Sequence, residues 1–181
     1  MAEADRLRWD ERYAMKGPPP ASAVTPPEVL ARYVDTVPRA GTALDLACGQ
    51  GTGAVWLALR GLEVVGLDIS PVAVDQARDL AHRSGVFDRC RFDVIDFDEG
   101  LPAGPPVDVI VCRKFRDRRL DQAIIERLAP GGLLATVVLS EVGAGPGPFR
   151  AVAGELAAAF AELDVIATGE GGGRAWLLAQ R

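Results

Sequence analysis

The sequence is short of the residues that usually announce a function. His82 is its only histidine, and its three cysteines, Cys48, Cys90 and Cys112, form no Cys-x-x-Cys pair. That pattern supplies neither a zinc site nor a disulfide framework, and it fits reduced thiols in the cytoplasm. Lys16 and Lys114 are the only lysines beside many arginines, and the net charge is -5. An acidic chain with a pI near 5.0 has no global pull toward nucleic acid or an anionic membrane. Its longest apolar run, around Leu133 to Leu139, falls far short of a bilayer span. The start, Met-Ala-Glu-Ala-Asp-Arg, alternates charges where a signal peptide would place an apolar core. A soluble, cytoplasmic protein is therefore expected, with no membrane partner.

What is present is ordinary globular composition, 49% hydrophobic and 25% charged over 181 residues. That length predicts one domain with a single core. Residues 1–24 are expected to form an N-terminal lid helix and proline-rich hinge, and residues 25–181 the main domain. Residues 5–16 carry Trp9, Arg12 and Tyr13 on a short amphipathic helix. Gly17 to Pro27 cannot propagate helix or sheet. Thr25-Pro-Pro-Glu28 has the form of a capping box, and Val29, Leu30, Tyr33, Val34 and Val37 follow at helical spacing.

From Thr42 the chain alternates short β-rich runs with helical segments. Strands are expected at 43–47, 63–67, 91–95, 107–112 and 133–139. Ser70-Pro71 starts one helix, as N-cap and first helical residue, and Leu120, Ile124, Ile125 and Leu128 lie on another. Pro130-Gly131-Gly132 is expected to end that second helix, and after the Gly143–Pro148 loop a third follows near 152–160. Runs at 163–168 and 174–179, joined by glycines, have the form of a hairpin. Strand–helix–strand units with short loops predict a doubly wound, mostly parallel α/β sheet, seven-stranded with a C-terminal antiparallel hairpin and helices on both faces.

Two carboxylates carry the chemistry. Asp45 precedes the glycine-rich turn Gly49-Gln-Gly51-Thr-Gly53, which lets backbone approach a ligand closely. Gly49-x-Gly51-x-x-Ala54 also satisfies a variant of the dinucleotide fingerprint. Asp45 weighs against a dinucleotide, because a carboxylate repels the pyrophosphate that such a turn receives, yet suits a cationic sulfonium with an amino-acid tail. Asp68 ends the second strand, where a carboxylate accepts both ribose hydroxyls of an adenosine. As a plain structural residue it would cap or turn the chain before Ser70-Pro71.

The ordered set Asp45 to Gly53, Gly66-Leu-Asp68-Ile-Ser70, Asp96-Phe97, Val107 to Cys112 and Leu128-Ala-Pro-Gly-Gly132 resembles class I methyltransferases that use S-adenosylmethionine (SAM). The Trp9-Asp-Glu-Arg12-Tyr13 helix is similar to the lead helix of their tellurite-resistance and thiopurine methyltransferase-like branch. Ala47 departs from the glycine common in such proteins.

The resemblance implies SAM as cofactor, S-adenosylhomocysteine (SAH) as its product, and a small-molecule acceptor rather than nucleic acid. It implies cofactor contacts from Asp45, Ala47, Cys48, Gly49, Gly51, Asp68 and Ile69. Asp96 would accept from the adenine amino group beside Phe97, although the run Asp93, Asp96, Asp98, Glu99 also suits a solvated face. Cys112 and Arg113 would face the amino-acid tail, with Trp9 and Arg12 closing over it. Glu141, Arg113 and Tyr13 are the candidates nearest the chemistry, and His82 lies too late in its helix to serve as base. The acceptor would be anionic if Arg113 to Arg119 faces the pocket; the competing reading pairs those cations with Asp117 and Asp121. A SAM-binding protein without turnover and an NAD(P)-dependent oxidoreductase are the alternatives, and a monomer or homodimer is expected.

Overall fold

Thr42–Leu46 (β1) is buried at every position but the first, as expected of a parallel strand covered on both faces rather than one. A computed structural model describes residues 2–147 and 149–181. Met1, at the head of the expected lid, and Pro148, at the end of the expected Gly143–Pro148 loop, lie outside the described residues. The seven strands form one sheet in the order β3-β2-β1-β4-β5-β7-β6. Strands β1 to β3 and the β4–β5 pair are parallel, whereas β7 is antiparallel to both of its neighbours, β5 and β6.

The chain divides into two compact units. The first comprises the residues up to Pro26 together with Pro38–Gly100. Here Ala2–Lys16 (α1) precedes β1, followed by Thr52–Leu59 (α2), Glu63–Asp68 (β2), Pro71–Arg83 (α3) and Cys90–Val94 (β3). The Ser70–Pro71 start is as the sequence implies: the Ser70 hydroxyl accepts from the Ala73 amide at 3.1 Å, with proline in the first turn. α3 then buries Ala73, Val74, Ala77, Leu80 and Ala81 on one face, a 3.6-residue stripe.

The second unit comprises Pro27–Val37 and Leu101–Arg181. It contains Val107–Arg113 (β4), Asp121–Arg127 (α4), Leu128–Leu139 (β5), Glu155–Ala159 (α5), Asp164–Gly171 (β6) and Arg174–Gln180 (β7). The C-terminal hairpin matches expectation, its two strands joined by Gly172 and Gly173, both at positive φ. β6 forms the exposed edge of the sheet, with its pairing interrupted between Val165 and Ala167, a bulge of the kind that blunts edge-to-edge association.

Two expectations need correction. The helix expected to start at the Thr25-Pro-Pro-Glu28 capping box and run through Val37 is a pair of single 3₁₀ turns, Leu30–Arg32 and Val34–Thr36. Pro38 holds Val37 in extended backbone (ψ 126°), and the segment breaks at Tyr33, whose φ of -124° and ψ of 28° leave the helical region. Its apolar spacing still serves burial, since Val29, Leu30 and Val37 are in the core. Secondly, Pro130-Gly131-Gly132 does not end a helix. α4 stops at Arg127, and the register against β4 slips from Val107↔Leu128 to Val109↔Leu133. The glycines pair with the chain's end: the Gly131 amide donates to Arg181 O and the Arg181 amide to Gly132 O.

Candidate active site

The first unit gathers most of the expected cofactor residues at the carboxyl ends of β1 and β2. Asp45, the penultimate residue of β1, lies opposite Gly66 of β2 and is fully buried. The chain then turns through three left-handed residues, Ala47 (φ 49°), Gly49 (φ 53°) and Gly51 (φ 74°). Cys48 is buried among them, its amide donating to Leu67 O at 3.0 Å and stitching the turn to β2. Gly51 caps α2, accepting from the Val55 amide at 2.8 Å.

Glycine at 49 answers two demands. Its φ is left-handed, and a Cβ there would stand 2.7 Å from the Tyr13 hydroxyl of α1. Ala47 satisfies the same handedness without glycine's freedom and carries the strain.

Asp68 ends β2 and is 5% exposed. The Gly49 amide donates to Oδ2 at 2.7 Å and the Ser70 amide to Oδ1 at 2.9 Å. These bonds fix the carboxylate plane and join the glycine turn to the start of α3. Burial pushes the Asp68 carboxyl above its ordinary pKa; the amides of Ser70, Gly49 and Ile69 pull it back, and the Asp10 carboxylate adds to the rise. Its two oxygens offer about four lone-pair sites, so capacity for further donors remains after these bonds. A buried, oriented carboxylate with spare acceptor capacity suits a diol.

Ile69 is half-buried beside it. The Ile95 amide donates to Asp68 O at 2.9 Å, which sets Asp96 just beyond the end of β2. Asp96 is half-buried and caps a 3₁₀ turn by accepting from the Asp98 amide at 2.9 Å, while Phe97 is buried. On α1, Trp9 stacks on Tyr13 at 5.8 Å, and the Arg12 guanidinium lies 5.0 Å from the centre of the Trp9 ring. His82, in the last turn of α3, stacks on Phe87 at 3.7 Å.

The remaining candidates belong to the second unit. Cys112 and Arg113 end β4, opposite Thr136 and Val137 of β5. Cys112 is buried beside a small, mostly apolar cavity lined by Phe115, Leu120, Leu134 and Thr136, among others. Glu141 follows β5 and is half-buried, its amide bonded to Ala151 O. The cationic segment after β4 is engaged by acids. Arg116 bonds Asp121 through both terminal nitrogens and Glu155 through Nε at 3.0 Å. Arg118 bonds Glu155 at 2.6 Å and Arg119 bonds Asp117 at 2.6 Å. Arg118 and Arg116 hold the Glu155 carboxyl down at about 2. Asp117 and Asp121 were legible partners from the sequence, whereas Glu155 is distant in the chain. Among the described residues no cluster of His, Cys, Asp or Glu could hold a metal ion.

Residues 43–132 match the methyltransferase-domain family. The chain carries a class I SAM-dependent methyltransferase domain. Among curated relatives, the ribosomal protein L11 methyltransferase of Syntrophotalea carbinolica is 34% identical over 110 residues, covering 59% of this chain and 35% of that protein. The chain thus spans about a third of the length of the curated relatives it matches. Of solved structures, TehB from Haemophilus influenzae superposes with a TM-score of 0.72 at 18% identity, over 83% of this chain and 60% of that one. Geranyl diphosphate C-methyltransferase from Streptomyces coelicolor A3(2) gives 0.71 at 15% identity, over 99% and 97%. At such identities the structures establish the fold. The methyltransferase domain of this chain keeps an acidic residue at the ends of both β1 and β2 and a glycine turn between them.

Four residues that bind α1 to this site were not singled out from the sequence: Asp10, Gln50, Gln76 and, in this role, Ser70. The Ser70 hydroxyl donates to Asp10 Oδ1 at 2.5 Å. Gln50 Nε2 donates to Gly17 O at 2.7 Å and to Gln76 Oε1 at 2.6 Å, and Gln76 Nε2 donates to Tyr13 O at 3.2 Å. The available signal was helical spacing, since Asp10, Tyr13 and Gly17 follow one another at i+3 and i+4 and so share a face.

Proposed function

We propose that the chain transfers a methyl group from SAM to a small-molecule acceptor by in-line displacement. The observation that carries this reading is the Asp68 carboxylate, buried, aimed by two backbone amides and left with acceptor capacity for a ribose diol. When bound, SAM supplies an electrophilic methyl group on a sulfonium. Asp68 would hold the ribose, the Gly49–Gly51 backbone the methionine part, Asp45 the ordered turn or the amine, and Asp96 with Phe97 the adenine. Trp9 and Arg12 would close over the cofactor from α1.

Placing an acceptor about 3 Å from the methyl supplies roughly 7–11 kcal/mol through proximity and orientation. A thiol, phenolate or other reactive acceptor then needs little acid–base assistance. The guanidiniums of Arg116, Arg118 and Arg119 are committed to carboxylates, so selectivity for an anionic acceptor is not drawn from them. Among the described residues no helix is long and apolar enough to cross a membrane, and with the free thiols this favours action in the cytoplasm.

Calorimetric titration with SAM and SAH, with NAD(H) and NADP(H) as controls, tests the cofactor. Micromolar binding of the adenosyl sulfur compounds alone is expected; binding of a nicotinamide cofactor instead overturns the reading. Transfer of labelled methyl to a panel of small thiols, phenols and carboxylates then tests turnover. Methylation of ribosomal protein or RNA, with no small acceptor modified, would overturn the assignment of acceptor class.

A further inference from the structure

Asp10 and Tyr13 are successive contacts of one face of α1, and a chain of interactions through the cofactor residues joins them. Asp10 Oδ1 accepts from the Ser70 hydroxyl at 2.5 Å. The Ser70 amide donates to Asp68 Oδ1, and the Gly49 amide donates to the other oxygen of that carboxylate. The Tyr13 hydroxyl packs on Gly49 where a Cβ would otherwise stand. The circuit Asp10–Ser70–Asp68–Gly49–Tyr13 therefore begins and ends on α1, with the proposed ribose-binding carboxylate at its centre.

The connection is specific in its chemistry. A single Ser70 hydroxyl performs two tasks, accepting from the Ala73 amide to cap α3 and donating to Asp10. Asp10 is largely shielded, with its side chain 16% exposed, and its second oxygen accepts from Arg6 at 3.1 Å, one turn earlier on α1. The Gln50 and Gln76 amides clamp the end of the helix through the carbonyls of Gly17 and Tyr13. Arg83 holds the proline segment beyond it through Pro19 O at 2.9 Å.

We propose that Asp10 is a positioning residue for the adenosyl cofactor: without touching it, Asp10 fastens α1 through Ser70 to the carboxylate that holds the ribose. The inference rests on the cofactor assignment above. Because coupling is reciprocal, docking of α1 tightens cofactor binding by the same factor by which the cofactor stabilises docked α1. An α1 that is docked only part of the time lowers the apparent affinity by that fraction.

The test compares wild type, Asp10→Ala and Asp10→Asn by calorimetric titration with SAH, amide hydrogen exchange over α1, and thermal unfolding. Alanine is expected to weaken SAH binding about tenfold, as befits one charge-assisted hydrogen bond, and to speed exchange in α1. Asparagine retains an acceptor oxygen for Ser70 and is expected to bind within about threefold of wild type. Wild-type affinity in Asp10→Ala overturns the proposal. So does a loss that asparagine fails to rescue and that tracks a fall in global melting temperature. Should Asp10→Ala fail to fold, Ser70→Gly removes the hydroxyl that donates to Asp10 while keeping a residue tolerated at a helix N-cap; weaker binding is again expected, and unchanged affinity is fatal. If wild type binds no adenosyl ligand, the cofactor assignment fails, whereas the exchange comparison still decides whether Asp10 fastens α1.

Discussion

Replacing Asp68 by asparagine separates what this residue does for the fold from what it does for a ligand. In the folded chain the carboxylate accepts from the Gly49 and Ser70 amides while 5% exposed. Asparagine keeps one acceptor oxygen and turns an NH₂ toward the other amide, leaving a buried donor unsatisfied at a cost of about 1–3 kcal/mol. The substitution also removes a charge whose burial is unfavourable, as the raised Asp68 pKa shows. These effects oppose each other, so the net change in stability is expected to stay within about 2 kcal/mol. For an adenosine ligand nothing offsets the loss. One or two ribose hydroxyls forfeit an ionised acceptor, and exchanging a charged partner for a neutral one costs about 1.5–3 kcal/mol, or roughly 10- to 100-fold in affinity. Calorimetric titration with SAH beside thermal unfolding reads both quantities. A change in affinity below threefold, or a collapse of stability with affinity preserved in the folded fraction, would refute the assignment of Asp68 to the ribose.

Three further outcomes follow from the same geometry. Ala47→Gly should raise stability by about 0.5–1 kcal/mol in chemical denaturation, because the left-handed φ of 49° costs alanine more than glycine loses in unfolded-state entropy. Gly49→Ala should cost about 1–2 kcal/mol through its φ of 53° and should push Tyr13 away; Tyr13→Phe in the same chain removes the nearest atom and should recover part of the loss. Glu155, held by Arg118 and Arg116 at about 2 against an ordinary 4.5, contributes stability that is full above pH 4.5 and lost as the pH falls toward 2. Unfolding midpoints of wild type and Glu155→Gln should therefore differ most above pH 4.5 and converge near pH 2.

Local rules made much of this fold legible before any coordinates. Ser70-Pro71 specifies a cap and a first helical turn by chemistry confined to four residues, and the structure realises both. Glycines at 171–173 between β-rich runs specify a hairpin for the same reason. The helix expected from the Thr25–Glu28 capping box through Val37 shows the limit of such rules. Its apolar spacing describes which side chains are buried, and Val29, Leu30 and Val37 are; yet the break at Tyr33 and the proline after Val37 decide the backbone. Likewise Gly131 and Gly132 advertise a turn, but their partner is Arg181, some fifty residues away, and no local pattern encodes that pairing.

The site divides along the same line. Asp68 announces itself because a carboxylate at a strand end before a capped helix has few roles, and one of them, holding the turn before Ser70-Pro71, is seen in its bonds to the Gly49 and Ser70 amides. The cations after β4 posed the opposite problem. Alternating arginines and aspartates, met as sequence, suit an anion-binding mouth or a self-neutralised loop equally well. What decides for Arg116 and Arg118 is Glu155, whose carboxylate comes from α5, nearly forty residues on. Asp10 illustrates the same point within a recognised motif. Between Trp9 and Arg12 it looks like a solvated helix residue, because nothing local distinguishes an acid facing water from one facing a hydroxyl sixty residues downstream. Its partner is a serine already assigned a task, the cap of α3. A hydroxyl can donate while it accepts, and that second capacity connects the lead helix to the carboxylate.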